Sequence, residues 1–513
     1  MNLDDPFTGY STVLRIIIFV LLPAFTVLQV IRFRNALHVF QLEGYKRARF
    51  LAWCGGNRKQ ARFLRPVGSK KPLVMTGRAW RILVAATLLT VVGVLVVPGL
   101  AHLLGGAPYD LIAWVVAIIA LYIGAPHVLV AADRLVAPVQ SIINSRFERR
   151  ARARLQESAP VVIGVTGSFG KTSTKFAVAR LLGPPDTALA TPGSYNTPMG
   201  VVRAINEGLT DRHDFLVVEM GAYGVGEIAE LSNLVHPTIG VLTAIGPAHL
   251  ERFGSIDAVR RTKYELVESL PSDGLAVMNT DDAEVRTLAE RTTHVPVVRY
   301  GLDPAGAPHV TARDHRYSPR GTSATIIDAE GGELIVSSRL LGAHAIGHVL
   351  AGVTVARHLG IPLADLGPRI AAIVPVEHRL QLIDGPGGVT IIDDAFNSNP
   401  AGATAAIEVL AGFDETDVNQ IVVVTPGIIE LGERQTEANE AFGNHAARVA
   451  DVLIVVGRTN REAIVRGASG PGPVKADVIV VDRLDQATEH LKQLLGPRDV
   501  VLFENDLPDQ YEI

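Results

Sequence analysis

The strongest constraint on the fold is a glycine-rich loop, Gly164-Val-Thr-Gly-Ser-Phe-Gly-Lys-Thr-Ser173, which directly follows the apolar run 161–163. A buried strand that leads into such a loop, with a helix over 174–182 behind it, is typical of a phosphate-binding site in an α/β protein. Glycines let backbone N–H groups approach an anion, Lys171 supplies positive charge, and the Thr172 hydroxyl can reach Mg²⁺. The alternative interpretation is a glycine-rich turn that binds nothing.

Three apolar runs precede this loop, at residues 13–31, 82–104 and 111–130. Each has about 20 residues, the length that a helix needs to cross the hydrocarbon core of a bilayer. We therefore predict that residues 1–155 form a membrane module with three spanning helices. A cleaved signal peptide is disfavoured for the first run, because Asp4 and Asp5 replace the positive charge that such peptides carry near the start.

Basic residues predict the orientation of this module. Residues 32–81 contain 13 Lys and Arg but only one acid, Glu43, and five arginines lie within 146–154. Because basic segments stay inside, we expect the N-terminus outside, 32–81 as a basic cytoplasmic loop, and the catalytic domains in the cytoplasm. The chain is thus predicted to be a multi-pass protein of the plasma membrane. Residues 36–53 could be an amphipathic segment on an anionic leaflet or a solvated linker.

The charge distribution also excludes some functions. Residues 1–155 carry 20 Lys and Arg against 6 Asp and Glu, whereas the remainder of the chain is acidic. Since membrane topology accounts for the basic residues, nucleic acid is not an expected partner. The single cysteine, Cys54, excludes an intramolecular disulfide and a cysteine-based metal cluster.

Beyond residue 160, apolar runs rich in β-branched residues alternate with helical patterns. The runs lie at 161–165, 215–220, 238–243, 390–392, 421–424, 452–456, 478–481 and 500–503. Runs that are apolar on both faces predict parallel sheets covered by helices, and hence an α/β fold. Residues 298–339 alternate polar and apolar side chains instead, which predicts a small antiparallel excursion. A boundary near 373–376 gives an ATP-binding central domain, 156–375, and a Rossmann-like C-terminal domain, 376–513.

Five segments in this order resemble the Mur ligases, the ATP-dependent amide-forming enzymes of cell-wall peptide synthesis. The loop with its early Gly164 resembles the family's nucleotide loop, and 215–222 resembles the strand that ends in a magnesium-binding glutamate. Residues 246–255, followed by Lys263, resemble the segment with a metal-binding histidine and a carbamylated lysine. The two remaining segments resemble the C-terminal domain of the MurF branch and lie at 391–400 and 426–432.

The resemblance implies an ATP-dependent acid–amino-acid ligase that uses two Mg²⁺ ions. The implied catalytic residues are Lys171, Lys263, His249 and Arg379. The implied nucleotide-binding residues are Gly167, Ser168, Gly170, Lys171, Thr172, Ser173, Asn279, Arg379, Asp393 and Asp394. The implied metal ligands are Thr172, Glu219, His249 and a carbamate that CO₂ forms on Lys263. Which of Asp393 and Asp394 contacts the nucleotide or the amine stays open.

The chemistry explains these residue types. ATP-driven amide formation first phosphorylates a carboxylate, and an amine then displaces the phosphate. Because negative charge builds up on the transferring phosphoryl group, the site needs cations more than it needs a nucleophile.

The sequence departs from the family pattern in three places. A membrane module stands where the family has a soluble UDP-binding domain, His348 stands where the family has an asparagine, and the stretch 503–510 is acidic where the MurF branch is basic. The leading interpretation is therefore a membrane-anchored ligase of cell-envelope peptide or polymer synthesis, which acts through an acyl phosphate. Its acceptor is expected to be lipid-linked or polymeric, and partner subunits in the membrane are an open expectation.

Three alternatives remain. The first is a MurF-like ligase of peptidoglycan precursors that uses a UDP-muramoyl peptide. The second is a nucleotide-gated scaffold subunit that ligates nothing, and the third is a membrane-coupled transport ATPase.

Overall fold

The structure is a computed structural model of the 513-residue chain. It describes residues 7–66, 72–105, 109–246, 253–395, 399–429, 431–470 and 472–505, with backbone only for 7–21, 102, 104–105 and 109–111. The chain divides into two compact units, Met1–Arg146 and Phe147–Leu507.

The first unit is helical. Its helices are α1 (Phe7–Leu42), α2 (Arg47–Gly56), α3 (Gly77–Gly105), α4 (Tyr109–Ile123) and the first part of α5 (Ala125–Ser158). Side chains of α1, α2, α3 and α5 share one apolar core, in which Phe33, Phe40, Phe50 and Ile82 are fully buried. The unit thus has a packed interior of its own.

The segment predicted as a basic cytoplasmic loop, 32–81, is largely helical, and its location relative to a membrane stays a prediction. The end of α1, the whole of α2 and the start of α3 occupy most of it. Leu37, Phe40 and Phe50 are buried inside the unit, so 36–53 is neither a lipid-facing segment nor a solvated linker. The many basic residues of this segment concealed apolar residues at helical spacing, and the side chains of these apolar residues fill the core.

The membrane module is supported only in part. Within the described residues, one helical stretch, Gly77–Ala101, is long and apolar enough to cross a membrane, with a mean hydropathy of 2.5. A bent pair, Ile112–Ile123 with Ala125–Ser158, gives a second candidate if it counts as one span. The predicted span at 13–31 lies in α1, and its side chains up to residue 21 lie outside the described part of the chain.

The third predicted span, 111–130, is not one straight helix, because α4 and α5 meet at an angle of 79°. Pro126 has no N–H to donate to the carbonyl group one turn earlier, that of Tyr122. Arg32 donates to the Tyr122 carbonyl instead, and Gln29 Nε2 donates to the Leu121 carbonyl at 2.9 Å. Side chains of α1 thus satisfy the backbone groups that the bend leaves open.

The second unit contains a six-stranded parallel sheet, as the sequence predicts. Its order is β2-β3-β1-β4-β5-β6, with β1 (Val161–Thr166), β2 (Ala188–Ala190), β3 (Phe215–Glu219), β4 (Ile239–Leu242), β5 (Leu275–Asn279) and β6 (Val297–Tyr300). The surrounding helices are α6 (Lys171–Leu182), α7 (Pro198–Gly208), α8 (Glu227–Val235), α9 (Ile256–Glu268), α10 (Ala283–Arg291), α11 (Ala343–His358) and α12 (Leu363–Ala371). Apolar cores lie on both faces of the sheet.

The predicted antiparallel excursion is also present. It is a three-stranded sheet of β7 (Thr311–Ser318), β8 (Gly321–Ile327) and β9 (Glu333–Ser338).

The C-terminal part has a second six-stranded sheet, ordered β10-β11-β15-β12-β13-β14. Its strands are β10 (Gln381–Asp384), β11 (Thr390–Asp394), β12 (Ile421–Thr425), β13 (Val452–Val456), β14 (Asp477–Val481) and β15 (Val500–Glu504). Only β10 runs antiparallel. Helices α13 (Pro400–Ala411), α14 (Gln435–Val449), α15 (Arg461–Ala468) and α16 (Leu484–Leu494) accompany it.

The order of the first sheet positions the candidate site. Strand β1 lies between β3 and β4, and the chain leaves β1 through the glycine-rich loop. The carboxyl ends of these three strands therefore meet at one edge, which is where ligands bind in open parallel sheets.

Candidate active site

The glycine-rich loop lies at the carboxyl end of β1 and leads into α6. Gly167 has φ +151°, and a Cβ there would lie 2.1 Å from Thr243 Oγ1, so no side chain fits. The Ser168 N–H donates to the Ala244 carbonyl at 2.7 Å, and Thr243 Oγ1 donates to the Phe169 carbonyl at 2.5 Å. The segment after β4 therefore fixes the shape of the loop. Sequence reasoning missed Thr243.

Lys171 opens α6 and folds back over the loop. Its Nζ donates to the carbonyl groups of Gly167 at 2.7 Å and Ser168 at 3.0 Å. Burial lowers the pKa of Lys171 to about 8; the negative charge of Glu219 opposes this shift and the positive charge of Arg379 adds to it. Lys171 thus lies within electrostatic reach of both predicted partners.

Glu219 ends β3 and pairs in register with Val165 of β1. It is 1% exposed, and the sequence motif alone did not reveal what holds it. Its Oε1 accepts from Asn196 Nδ2 at 3.1 Å, and its Oε2 lies 3.3 Å from Lys175 Nζ. Both carboxylate oxygens are thereby oriented by the surrounding protein.

Lys175 is a second residue that sequence reasoning missed. It is fully buried, it donates to the Gly193 carbonyl, and burial is the main cause that lowers its pKa. Its position four residues after Lys171 places the two lysines on one face of α6, a spacing that could have indicated it. No comparable local signal points to Asn196, because a loop brings it to Glu219.

Lys263 lies on α9 and is 3% exposed. Its pKa is lowered to about 7, mainly by burial and also by the positive charge of Lys171, while Glu227 and Glu265 oppose the shift. Its ammonium nitrogen lies 5.9 Å from the centroid of the Phe253 ring. A large fraction of this amine is therefore uncharged near neutral pH.

Arg379 reaches the site from the segment before the second sheet. Burial lowers its pKa, and Glu219 and then Asp394 oppose that shift. Burial raises the pKa of Asp394 to about 6, against the Leu380 N–H, which donates to Asp394 Oδ1 at 3.1 Å, and against Arg379. Of the adjacent acids Asp393 and Asp394, Asp394 is therefore the one that acts on Arg379.

Asp393 faces a different neighbour. Its Oδ2 lies 2.7 Å from His378 Nδ1, and its Oδ1 accepts from the Ala395 N–H at 3.1 Å. The two acids that the sequence could not distinguish thus have separate partners.

The other predicted site residues have these positions. Thr172 and Ser173 lie in the first turn of α6, and Thr172 is 8% exposed. Asn279 ends β5, donates to the Thr243 carbonyl at 2.9 Å and accepts from the Asp281 N–H at 3.2 Å, so both ends of its amide bind backbone. His249 falls within 247–252, outside the described residues.

The donor set suits magnesium. In the part of the chain that the structure describes, no group of three or more His, Cys, Asp or Glu could hold a metal ion. Mg²⁺ commonly takes one or two protein oxygens and completes its shell with phosphate oxygens and water. The carboxylate of Glu219 and the hydroxyl of Thr172 are such oxygens, so the residues present fit Mg²⁺ bound together with a nucleotide.

Lys171 and Arg379 thus lie within electrostatic reach of each other and of Glu219, an acid that is already bound by Lys175 and Asn196. A surplus of fixed positive charge at a glycine-rich loop stabilises a phosphoryl group and the charge that develops on it during transfer.

Two family models match this part of the chain. "Mur ligase middle domain" matches residues 165–356, and "Mur ligase, glutamate ligase domain" matches residues 378–504. They cover every predicted site residue and both six-stranded sheets except the first four residues of β1.

Known proteins agree. The UDP-N-acetylmuramoyl-tripeptide–D-alanyl-D-alanine ligase of Mycobacterium tuberculosis strain H37Rv is 34% identical over 375 residues, which are 69% of this chain and 71% of that protein. The ligase of the same name from Escherichia coli K12 is 31% identical, over 62% and 68%. The structure of MurF from Thermotoga maritima in complex with ADP has a TM-score of 0.61 at 27% identity, and covers 71% of this chain and 80% of that one.

These similarities, and the geometry of the loop and its cations, establish the family. The chain belongs to the Mur ligases, is similar to their MurF members, and is an ATP-dependent acid–amino-acid ligase.

Proposed function

We propose that this chain is a MurF-like ligase, which joins an amine to a carboxylate of a peptidoglycan precursor through an acyl phosphate. The observation that carries the proposal is that Lys171, at the glycine-rich loop, lies within electrostatic reach of Glu219, Arg379 and Lys263. The named relatives suggest the substrates, a UDP-muramoyl tripeptide and D-alanyl-D-alanine. This favours the precursor ligase over a ligase that acts on another polymer.

The residues divide the work as follows. Backbone N–H groups of the loop and Lys171 hold the phosphates of ATP, and Arg379 neutralises the phosphoryl group that moves to the acceptor carboxylate. Thr172 and Glu219 would hold Mg²⁺, which supplies Lewis-acid stabilisation of phosphate charge when bound. Lys175 and Asn196 fix the orientation of the Glu219 carboxylate, and Asp394 positions Arg379.

Lys263 is proposed to carry a carbamate. An uncharged amine is the form that reacts with CO₂, and burial beside Lys171 favours that form at neutral pH. The carbamate would turn a surplus cation into an anionic oxygen ligand, suited to a second Mg²⁺ with His249. Both roles are proposals for this chain.

Membrane attachment is a further part of the proposal. Helix α3 presents apolar side chains to the outside of its unit, with Leu88 59%, Val92 52% and Leu95 55% exposed. Such a surface on a stretch with a mean hydropathy of 2.5 is suited to lipid. We propose that the first unit stands in place of a UDP-binding domain and holds the ligase at the cytoplasmic face of the plasma membrane. A lipid-linked acceptor, with or without membrane partners, is then the second candidate.

The test is ligation by the full chain in detergent or nanodiscs. ATP and Mg²⁺ are supplied with either UDP-muramoyl tripeptide or its lipid-linked form, each with D-alanyl-D-alanine or single amino acids. Phosphate release and amide product are both measured, with Lys171→Met as the inactive control. We expect release only when acceptor and amine are both present. ADP binding without any product from any pair would favour the scaffold alternative.

A further inference from the structure

His348 lies on α11 at the point where this helix reaches the first turn of α6. Its Nδ1 is 2.9 Å from Thr174 Oγ1, and the two groups share a hydrogen bond. Its Cε1 faces Gly170 so closely that a Cβ on that glycine would lie 2.8 Å away. The Thr174 N–H donates to the Gly170 carbonyl at 2.9 Å. One imidazole therefore contacts both ends of the turn that carries Lys171 and Thr172.

The charge state of this ring suits such a contact. The pKa of His348 is lowered to about 3, mainly by burial and also by the positive charges of His344 and Arg379. The ring is therefore neutral at physiological pH, and it can hydrogen-bond to Thr174 without adding to the charge of Lys171 and Arg379.

The rest of the α11 surface shows that a polar residue is not required for packing. Ile346, Val349 and Val353 of the same helix are buried in the apolar core beneath the sheet. An apolar side chain of similar volume would fill the space next to Gly170 with a packing free energy at least as favourable. Where α11 meets the nucleotide loop, the chain has a hydrogen-bonding ring instead, that of His348.

We propose that His348 is a positioning residue of the nucleotide site. Its imidazole fixes the conformation of the turn from Gly170 to Thr174, and so determines where Lys171 and Thr172 contact the phosphates. The proposal rests on the ATP dependence of the proposed function. It assigns to His348 no contact with the substrates.

The test is a double-mutant cycle on ADP affinity, measured by calorimetry with the full chain in detergent and Mg²⁺. We expect His348→Leu and Thr174→Val each to weaken ADP binding about tenfold, because each removes the hydrogen bond between the imidazole and the Thr174 hydroxyl. The double variant should bind ADP no more weakly than either single variant, since both remove the same hydrogen bond.

Matched variants separate the hydrogen bond from packing. His348→Asn places an amide atom where Nδ1 stands, and Thr174→Ser keeps the hydroxyl, so both should bind ADP within about twofold of the unmodified chain. The KM for ATP should rise in His348→Leu, whereas the KM for the acceptor should not change. Thermal melting checks that each variant is folded. If His348→Leu does not fold, the comparison of Thr174→Val with Thr174→Ser still decides the test.

Three results would overturn the inference. They are unchanged ADP affinity in His348→Leu or Thr174→Val, multiplicative effects in the double variant, and failure of His348→Asn to retain binding. If the unmodified chain does not bind ADP, the inference and the proposed function fail together. If it binds ADP with this pattern and forms no amide, only the proposed function fails.

Discussion

Buried charges are held differently in the two compact units. In Met1–Arg146, the side chain of Asp133 is 2% exposed, and it accepts from Arg47 Nε at 2.7 Å and from Arg78 Nη2 at 2.9 Å. The buried acid of this unit is thus held by ion pairs with two arginines, which is the arrangement of a structural network.

The nucleotide site is not balanced in this way. Within the described residues, Lys171 donates to carbonyl groups of its own loop and Lys263 lies near an aromatic ring, and neither forms an ion pair. Glu219 is paired with Lys175, and Glu227 and Glu265 act on Lys263 without an ion pair. Desolvated cations that lack matching anions cost stability, and they persist where a ligand supplies the missing charge. The contrast teaches that buried cations without ion pairs, and not burial alone, distinguish the ligase site from the packed interior of the first unit.

The largest effect is expected at Lys171. Lys171→Met should reduce ATP turnover about 1,000-fold, because a cation that contacts the transferring phosphate stabilises the transition state by several kcal/mol. Phosphate release measures it. Lys492, on the exposed surface of α16, gives the control Lys492→Met, which should retain full turnover. Equal losses in both variants would remove the distinction between site cations and surface cations.

Two buried lysines sharpen the comparison. Lys263→Met should reduce turnover about 100-fold and raise the melting temperature of the unliganded protein, because it removes a desolvated charge. Lys175→Met leaves Glu219 buried without its ion pair, which should reduce the free energy of unfolding by about 3 kcal/mol. Its melting temperature should therefore fall. Differential scanning fluorimetry measures both. Stabilisation by Lys175→Met would contradict the assignment of Lys175 as the balancing charge.

In the first unit, Asp133→Asn should destabilise the fold by about 2 kcal/mol, because Arg47 and Arg78 lose their shared carboxylate. ADP affinity should not change. The control is Asp257→Asn, which breaks an exposed pair with Arg260 and should cost well under about 1 kcal/mol. Denaturant unfolding and calorimetry check these outcomes, and a loss of ADP binding in Asp133→Asn would show that its charges are not purely structural.

The most gradual effect, the smallest per pH unit, is a pH dependence of stability. The pKa of Lys263 is about 7 in the folded protein against 10.5 for an unperturbed lysine, so the unfolded chain binds more protons between these values. Stability should therefore rise with pH across that window, by about 1 kcal/mol per pH unit more in the unmodified chain than in Lys263→Met. Unfolding in CO₂-free buffer from pH 7 to 10 measures the difference. Parallel curves for the two proteins would contradict a lowered pKa.

Much of the second unit could be predicted from sequence because its signals are local. Apolar runs mark the strands, and the loop before Lys171 marks the sheet edge where the site lies. The residues around Glu219 could not all be predicted, because a loop distant in sequence brings Asn196 to the carboxylate. The distinction between Asp393 and Asp394 likewise depends on which neighbour each one faces.

The first unit was predicted less well, for an identifiable reason. A count of apolar residues finds a run of about 20, but it does not find the bend that Pro126 imposes or the donors that Arg32 and Gln29 supply from another helix. The same count treats 32–81 as a loop, because its basic residues mask the buried Phe40 and Phe50.

The central claim is that the site around Lys171 stabilises the phosphoryl group of ATP while it is transferred to a carboxylate. The most direct test uses UDP-muramoyl tripeptide with ¹⁸O in its terminal carboxylate, together with ATP, Mg²⁺ and D-alanyl-D-alanine. Mass spectrometry of the released phosphate then reports where the label goes. The account predicts one ¹⁸O in each phosphate released and one amide formed with it. Phosphate that is free of ¹⁸O would contradict the account.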